Sequence, residues 1–469
     1  MEMYGRRVIT TDAVEITDQN IIEELNKAFD THALNRGEIE YLWNYFRGKQ
    51  PILQRTKTVR PEICNKIVEN RANEIVSFKV GYLCGEPIQY VGRNGDESVS
   101  KAIGELNEMM FSENKATQDK EIVEWQMIGG TAYRLALPDS RREEDDAPFE
   151  LFTLDPRDTF VVYSSEVGNK PMFAVKYRVD SEGNRICSVY SANRYWKIIG
   201  DKIKESTAHA LGMIPIFEYP ANNARLGAFE IVLPMLDAIN NVASNRMDGI
   251  EQFIQSFIKF VNCDIDEEQF KALKEMGAIK VKSVDGSVAD VSIVTQELNQ
   301  MQTQTLVDYL YQTVLTICGM PNRNGGSSTS DTGAAVIMRD GWSLAESRAK
   351  DSELMFKKSE HEVLKLILRI IRDTTGLSDD IYNLKLKNIS LQFTRRNYEN
   401  VQSKSQVLVS MLQQNKIHPR LAFQHSGLFT DPESAYQLSK EYSEEQEKKA
   451  LEKMASQSTG NDEPIEEDE

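Results

Sequence analysis

Apolar positions recur at helical spacing over most of this chain, interrupted by one block in which they alternate. From Thr17 to about Phe46 the residues Ile21, Ile22, Leu25, Ala28 and Phe29, then Ile39, Leu42, Trp43 and Phe46, predict two short helices. Another is expected from about Pro61, a favourable first-turn residue, through Ile63, Ile67, Ile75 and Val80. It ends in a turn at Gly81 to Pro87, before a short strand at Ile88 to Val91. Ser98 to Phe111 and Thr117 to Ile128 read as amphipathic helices, Gly129 and Gly130 break the pattern, and Thr131 to Leu137 alternates like a strand.

Strand signals then dominate from Phe149 to Tyr219. They fall at Phe149 to Leu154, Thr159 to Tyr163, Met172 to Val179, Arg185 to Tyr190 and Tyr195 to Ile199, with turns at Asp155-Pro156, Gly168-Asn169 and Glu182 to Asn184. A small antiparallel β unit is the expectation.

Helical spacing returns at Gly227. Ile231, Met235, Leu236, Ile239, Val242, Met247, Ile250, Phe253, Ile254 and Phe257 predict one stripe on a helix of roughly 30 residues, about 45 Å long. Between Cys263 and Ile293 a compact α/β insertion is expected, with a helix at Asp266 to Met276 and strands at Ile279 to Val281 and Val291 to Ile293. A second long helix, Gln296 to Cys318, is closed by Gly319 and Pro321. Asn322 to Thr332, rich in Gly, Ser and Asn, reads as a loop. The longest helical pattern runs from Gly333 to about Thr375, with strands at Leu384 to Lys387 and Ser390 to Thr394 after it. Helices at Val401 to Gln414, His418 to His425 and Pro432 to about Leu451 complete an α+β, mainly helical chain without internal repeats.

Composition narrows what such a chain does. At 469 residues it is long enough for several folding units, and no apolar run approaches a membrane span. The five cysteines (Cys64, Cys84, Cys187, Cys263, Cys318) lack the paired spacing of a zinc site or disulfide framework, and a reducing cytoplasm suits them. With 55 Lys plus Arg against 72 Asp plus Glu the net charge is −17, which opposes a tight grip on a phosphate backbone. Part of that excess is a tail expected to be disordered: Glu441 to Glu469 holds eleven acids and three lysines.

Enzymatic motifs are missing where they would be needed. Gly319 to Ser328 has the glycines of a phosphate-cradling loop and lacks its lysine. His32, His209, His361, His418 and His425 show no metal-ligand spacing, and no serine sits in a nucleophile elbow. Asp264, Asp266, Glu267 and Glu268 form an acid cluster that could hold magnesium, but acids ahead of Phe270 and Leu273 are better explained as partners of a helix N-terminus. No catalytic residue, cofactor or metal is expected.

Four stretches, in order and spacing, resemble the portal proteins of tailed bacteriophages of the Gram-positive siphophage type. The first is Tyr45 to Lys49 (YFRGK) with Asn65 to Asn70 (NKIVEN), and the second is Val80 to Pro87 (VGYLCGEP). The third, the most specific, is Ile214 to Tyr219 (IPIFEY), Asn222 to Gly227 (NNARLG), Glu230, and Leu236 to Asn240 (LDAIN). The fourth is Ile317 to Pro321 (ICGMP) with Thr332 to Ala335 (TGAA).

This resemblance implies a closed ring, twelve subunits in the capsid, that sits in the virion at the portal vertex and conducts double-stranded DNA without binding it tightly. It implies wing regions at 1–226 and 334–397, stem helices at 227–260 and 296–320, a clip at 261–295 and a crown at 398–452, with the acidic tail at 453–469. The 321–333 segment becomes a tunnel loop whose Asn322, Arg323, Asn324, Gly325, Gly326, Ser327, Ser328 and Thr329 touch DNA. Lys271, Lys274, Lys280 and Lys282 of the clip become a docking surface for the terminase large subunit and later a head-completion adaptor. Major capsid and scaffolding proteins are further implied partners, and no membrane is. Two other readings stay open: a metal-dependent phage nuclease using the acids near Asp264, and a helical scaffold or adaptor held together by the helices after Gly333.

Overall fold

A computed structural model describes residues 5–93, 97–139, 146–254, 257–261, 263–264, 268, 271, 282–283, 290–294, 300–322, 341–395, 401–414, 416–429 and 432–458. The helices are α1 (Ile21–Phe46), α2 (Arg71–Cys84), α3 (Glu97–Ser112), α4 (Lys115–Gly129), α5 (Leu233–Ile254), α6 (Gln300–Cys318), α7 (Trp342–Asp373), α8 (Asp379–Tyr382), α9 (Val401–Leu412), α10 (Pro419–Ser426) and α11 (Pro432–Ser458). The strands are β1 (Ile9–Thr11), β2 (Gln89–Gly92), β3 (Thr131–Pro138), β4 (Phe149–Leu154), β5 (Thr159–Ser164), β6 (Pro171–Val179), β7 (Arg185–Tyr190) and β8 (Arg194–Ile199). They continue with β9 (Lys202–Ala208), β10 (Ile216–Pro220), β11 (Phe257–Val261), β12 (Cys263–Asp264), β13 (Lys282–Ser283), β14 (Asp290–Val294) and β15 (Ile389–Gln392). The chain is α+β and mainly helical. It divides into two compact units: residues 1–43, 74–231 and 319–469, and residues 44–73 and 232–318.

In the first unit the expected β block is two sheets rather than one. Six strands run in the order β1-β5-β6-β7-β8-β9 and three in the order β10-β3-β4, while β2 and β15 form a separate ribbon. All pairs are antiparallel except β1 with β5, where Ile9 lies opposite Val162. One face of the six-stranded sheet packs Phe160, Val162, Phe173, Val175, Val189, Trp196 and Ile198 against Ile21, Leu25, Ala28 and Phe29 of α1. Val161 and Ala174, which point the other way, join Tyr133, Leu154, Ile214 and Ile216 around the smaller sheet. β9 was not expected; its residues are almost all exposed and carry no apolar alternation.

The two short helices expected between Thr17 and Phe46 are the single helix α1. The gap in apolar spacing after Phe29 is filled by buried polar residues that have partners. His32 Nε2 lies 3.2 Å from the Arg157 carbonyl, Asn35 bonds both the N–H and the C=O of Arg7 at 2.9 and 2.8 Å, and Glu38 pairs with Arg6 at 3.1 Å and Arg7 at 2.8 Å. The period of the helix therefore continues through 32, 35 and 38 into Ile39 and Leu42, with hydrogen bonds in place of apolar contact. Burial pushes the His32 imidazole down to about 4, so the ring is neutral near pH 7.

Gly130 ends α4 in the left-handed region, φ 79°, with its N–H on the Gln126 carbonyl at 3.0 Å. A Cβ there would lie 2.0 Å from the Arg225 carbonyl oxygen, so the turn that launches β3 requires glycine.

A group of four charges, fully or nearly fully buried, fastens α7 to this unit. Arg134 on β3 bonds Asp119 of α4 at 2.5 Å and Glu360 of α7 at 2.9 Å, while Lys115 of α4 reaches Asp119 at 2.5 Å and Glu360 at 3.3 Å. Two hydroxyls also donate to Glu360, from Tyr90 of β2 at 2.5 Å and from Tyr219 of β10. Burial alone would raise the Glu360 pKa, but Lys115 and Arg134 outweigh it and hold the carboxyl well below the usual range. The second half of α7 buries Val363, Leu364, Leu366, Ile367, Leu368, Ile370 and Ile371, so the helix is anchored by charge at its middle and by apolar packing beyond it.

Candidate functional site

The second unit is built around α5 and α6, which pack on each other. The helix expected from Gly227 to Phe257 begins later, at Leu233, and ends earlier, at Ile254. Glu230–Val232 form a turn of 3-10 helix before it, and Phe257 opens β11. Nor is its inner face one apolar stripe. Leu236 and Ile239 are buried, but the line continues as Asn240, Ser244 and Asp248, while Met247 and Ile250 are exposed.

Those three polar residues, four apart, hold a strap. The helix expected from Pro61 starts only at Arg71, as α2, and residues 64–70 before it are neither helix nor strand. The N–H groups of Asn65, Ile67 and Glu69 donate to Asp248 Oδ1 at 2.7 Å, Ser244 Oγ at 3.0 Å and Asn240 Oδ1 at 2.8 Å. Two residues of extended chain advance about 6.6 Å and four of a helix about 6.0 Å, so the spacings match and successive rungs close. Backbone donors of this segment are met by helix side chains, which removes the need for helical bonds of its own. The strap is further tied by Asn70 Nδ2 to the Phe46 carbonyl at 2.8 Å, and Tyr45 donates to Asp237 at 2.9 Å. Much of the first family-like stretch, with Asp237 and Asn240 of the third, is thus one hydrogen-bonded ladder.

Asp248 is the end rung and also takes Arg55 and Lys57, each at 2.9 Å. Burial opposes its charge, but the Asn65 N–H and the Lys57, Asn65 and Arg55 side chains bring its pKa from 3.8 to about 2. A depressed folded-state pKa gives stability that is complete above the unfolded value near ~3.9 and disappears as pH falls through the folded one, worth about 2 kcal/mol here. Urea midpoints of the full chain should therefore fall between about pH 4 and pH 2, and Asp248→Asn should lose that part of the acid sensitivity. An unchanged acid slope in the variant would remove Asp248 from the account.

The outward surface of α6 is unusual in its lack of charge. Between Gln300 and Cys318 the single charged residue is Asp308, and there is no cation. Val307, Val314, Leu315 and Cys318 face inward, whereas Met301, Leu306 and Tyr309 are exposed together with Gln304, Thr305, Gln312 and Thr316. Hydroxyls of Thr305, Thr313 and Thr316 donate to the carbonyls of Met301, Tyr309 and Gln312 at 2.9, 2.8 and 3.0 Å. With their protons directed into the helix, they offer methyl groups and lone pairs outward, neither of which attracts a phosphate oxygen. Gln304 accepts from Arg246 of α5 and donates to Asp308, both at 2.7 Å, so that guanidinium is engaged, and the Arg71 guanidinium lies over the Tyr311 ring at 4.2 Å.

At the far end of α5 two short antiparallel pairs are described, β11 with β14 and β12 with β13. β14 contains the expected strand Val291 to Ile293, whereas the strand at Ile279 to Val281 lies outside the described residues. Of the expected insertion helix only Glu268 and Lys271 are described, both helical and exposed. Lys282 pairs in register with Asp264, and Lys274, Lys280, Asp266 and Glu267 lie outside the described residues. Of the loop residues only Asn322, half-buried, is described; Arg323, Asn324, Gly325, Gly326, Ser327, Ser328 and Thr329 lie outside, as does the tail from 459. Among the described residues no cluster of three or more His, Cys, Asp or Glu could hold a metal ion, and no helix is long and apolar enough to cross a membrane.

A family model described as phage portal protein, SPP1 Gp6-like, matches residues 25–457. The chain belongs to the phage portal protein family. No curated protein matches it. A portal protein is a structural, non-enzymatic component of the phage virion capsid, acts in DNA packaging and works as a homo-oligomeric ring. In this portal chain the match runs from inside α1 almost to the end of α11 and takes in the strap, α5 and α6.

Proposed function

We propose that copies of this chain close into a ring of twelve at the capsid vertex, through which double-stranded DNA is packaged and later ejected, with α5 and α6 as its stem. The observation that carries this is the cation-free surface of α6, whose threonine hydroxyls are turned inward. A channel wall must let a duplex slide, and affinity for DNA grows with each cation that displaces counterions. Exposed Met247 and Ile250 of α5 and Met301, Leu306 and Tyr309 of α6 supply apolar surface for neighbouring copies, as a head-to-tail ring interface needs.

In the same reading 1–226 and 334–397 form the wing, 398–452 the crown, and the loop from Asn322 touches DNA transiently through Arg323. Residues 261–295 are the clip, where Lys271, Lys274, Lys280 and Lys282 meet first the terminase large subunit and then a head-completion adaptor. Capsid and scaffolding proteins surround the wing. The purified full-length chain should show rings with a central channel in negative-stain images. A chain that is monomeric at every concentration would end this proposal.

A further inference from the structure

The strap at 64–70 uses only one of its two backbone edges. Asn65, Ile67 and Glu69 turn their N–H groups to α5, an alternation that belongs to an extended chain. The carbonyls of Asn65 and Glu69 are taken as well, by Arg55 at 2.9 Å and by the Arg71 N–H at 2.6 Å. The same alternation turns Lys66 and Val68 the other way, and neither their N–H groups nor their carbonyls have a partner among the described residues. Lys66 is exposed and Val68 half-buried, and the segment belongs to no sheet. Two donors and two acceptors, in the order of a strand edge, are therefore left open.

The surroundings of this edge are basic in a chain that is acidic. Residues 44–73 hold seven Lys plus Arg against two Asp plus Glu, a balance of +5 where the whole chain has −17. Asp248 takes Arg55 and Lys57, and Arg71 pairs with Glu69 at 3.0 Å. Lys49 and Lys66 are exposed and have no ion pair among the described residues.

From these observations we infer that an extended, acidic peptide segment of another protein adds to this edge as a strand. Its backbone pairs with Lys66 and Val68, and its carboxylates meet Lys49 and Lys66. Backbone pairing supplies affinity, while the lysines select for acid. A nucleic acid meets only half of these needs, because its phosphates accept hydrogen bonds but donate none to the open carbonyls. The site is independent of ring closure, since every group in it lies within the second unit.

The probe is a dye-labelled hexapeptide of alternating glutamate and valine, added to the purified full-length chain and followed by fluorescence polarisation. It should bind, and the same peptide N-methylated at every amide should bind at least tenfold more weakly. Val68→Pro removes one open donor and should weaken binding as much with the melting temperature unchanged, because that N–H bonds nothing inside the chain. Lys49→Glu combined with Lys66→Glu should also weaken it at least tenfold. No binding by the wild type, or equal binding of the N-methylated peptide, overturns the inference, even where Val68→Pro fails to fold. A DNA duplex that binds more tightly than the peptide, and is lost with the two lysines, would make the strip a nucleic-acid surface and overturn it as well. Removal of residues 459–469 that raises peptide affinity tenfold would assign the edge to the chain's own acidic tail and overturn the outside partner.

Discussion

Replacing Glu360 with glutamine should cost the folded chain about 3–5 kcal/mol, read as a lower urea midpoint and an earlier thermal transition. The four charges around it sum to zero, Lys115 and Arg134 against Asp119 and Glu360, and their side chains are at most 4% exposed. Removing one negative charge leaves two buried cations facing one carboxylate in a region that water does not reach. Glutamine keeps the shape but can accept from only one of the two tyrosine hydroxyls, which donate to different oxygens of Glu360, so the expected loss is that of the charge and of one of these hydrogen bonds. A loss under about 1 kcal/mol would mean that the site is hydrated and that the apolar half of α7 suffices to hold it.

Lysine at Thr305 or Thr316 should act as a brake on DNA. Either change replaces an inward-bonded hydroxyl with an exposed ammonium on a helix that now carries no cation and has Asp308 as its single charged residue. In a ring each substitution is repeated in every subunit, and phosphate charges pass at intervals of about 1.7 Å along the duplex. Packaged DNA per particle should fall by at least tenfold at low salt and recover as salt rises, while ring assembly is unchanged. Thr305→Val and Thr316→Val, which also lack an outward donor, should package normally. Lysine variants that package as the wild type does at low salt would remove α6 from the channel wall.

How much of this was legible beforehand depends on what each residue does with its hydrogen bonds. α3, α4 and the strands from β3 to β8 follow local apolar spacing closely, and their expected limits fall within a few residues of those observed. Spacing failed where polar side chains stand in the core. His32, Asn35 and Glu38 interrupt the apolar period of α1, and Asn240, Ser244 and Asp248 give no apolar signal along α5. Ile63 and Ile67 of the strap fit a helical period, whereas the acceptors that hold it lie more than 170 residues away.

A run of small polar acceptors at every fourth position of a long helix was the available signal for that strap. The expected strand at Leu384 to Lys387 is likewise replaced by a 3-10 turn at Leu386–Asn388 that leads into β15. For the site, helix and stop at Gly319 were both readable, as was the scarcity of cations. The direction of the threonine hydroxyls was not, because it depends on rotamers. The resemblance to the family rests on the order and spacing of several stretches together, among them the strap at 65–70 and the turn at 222–225.

The parallel pairing of β1 with β5 has a consequence for how copies can meet. It covers part of the β5 margin with a strand of only three residues, too short to template a ladder, and leaves β9 as the longer edge strand of the six-stranded sheet. That strand carries Lys202, Lys204 and Glu205, charges that discourage a foreign strand from docking edge to edge. Polymerisation through backbone ladders, which has no natural end point, is thereby suppressed, and association is left to side-chain surfaces whose geometry can close on itself.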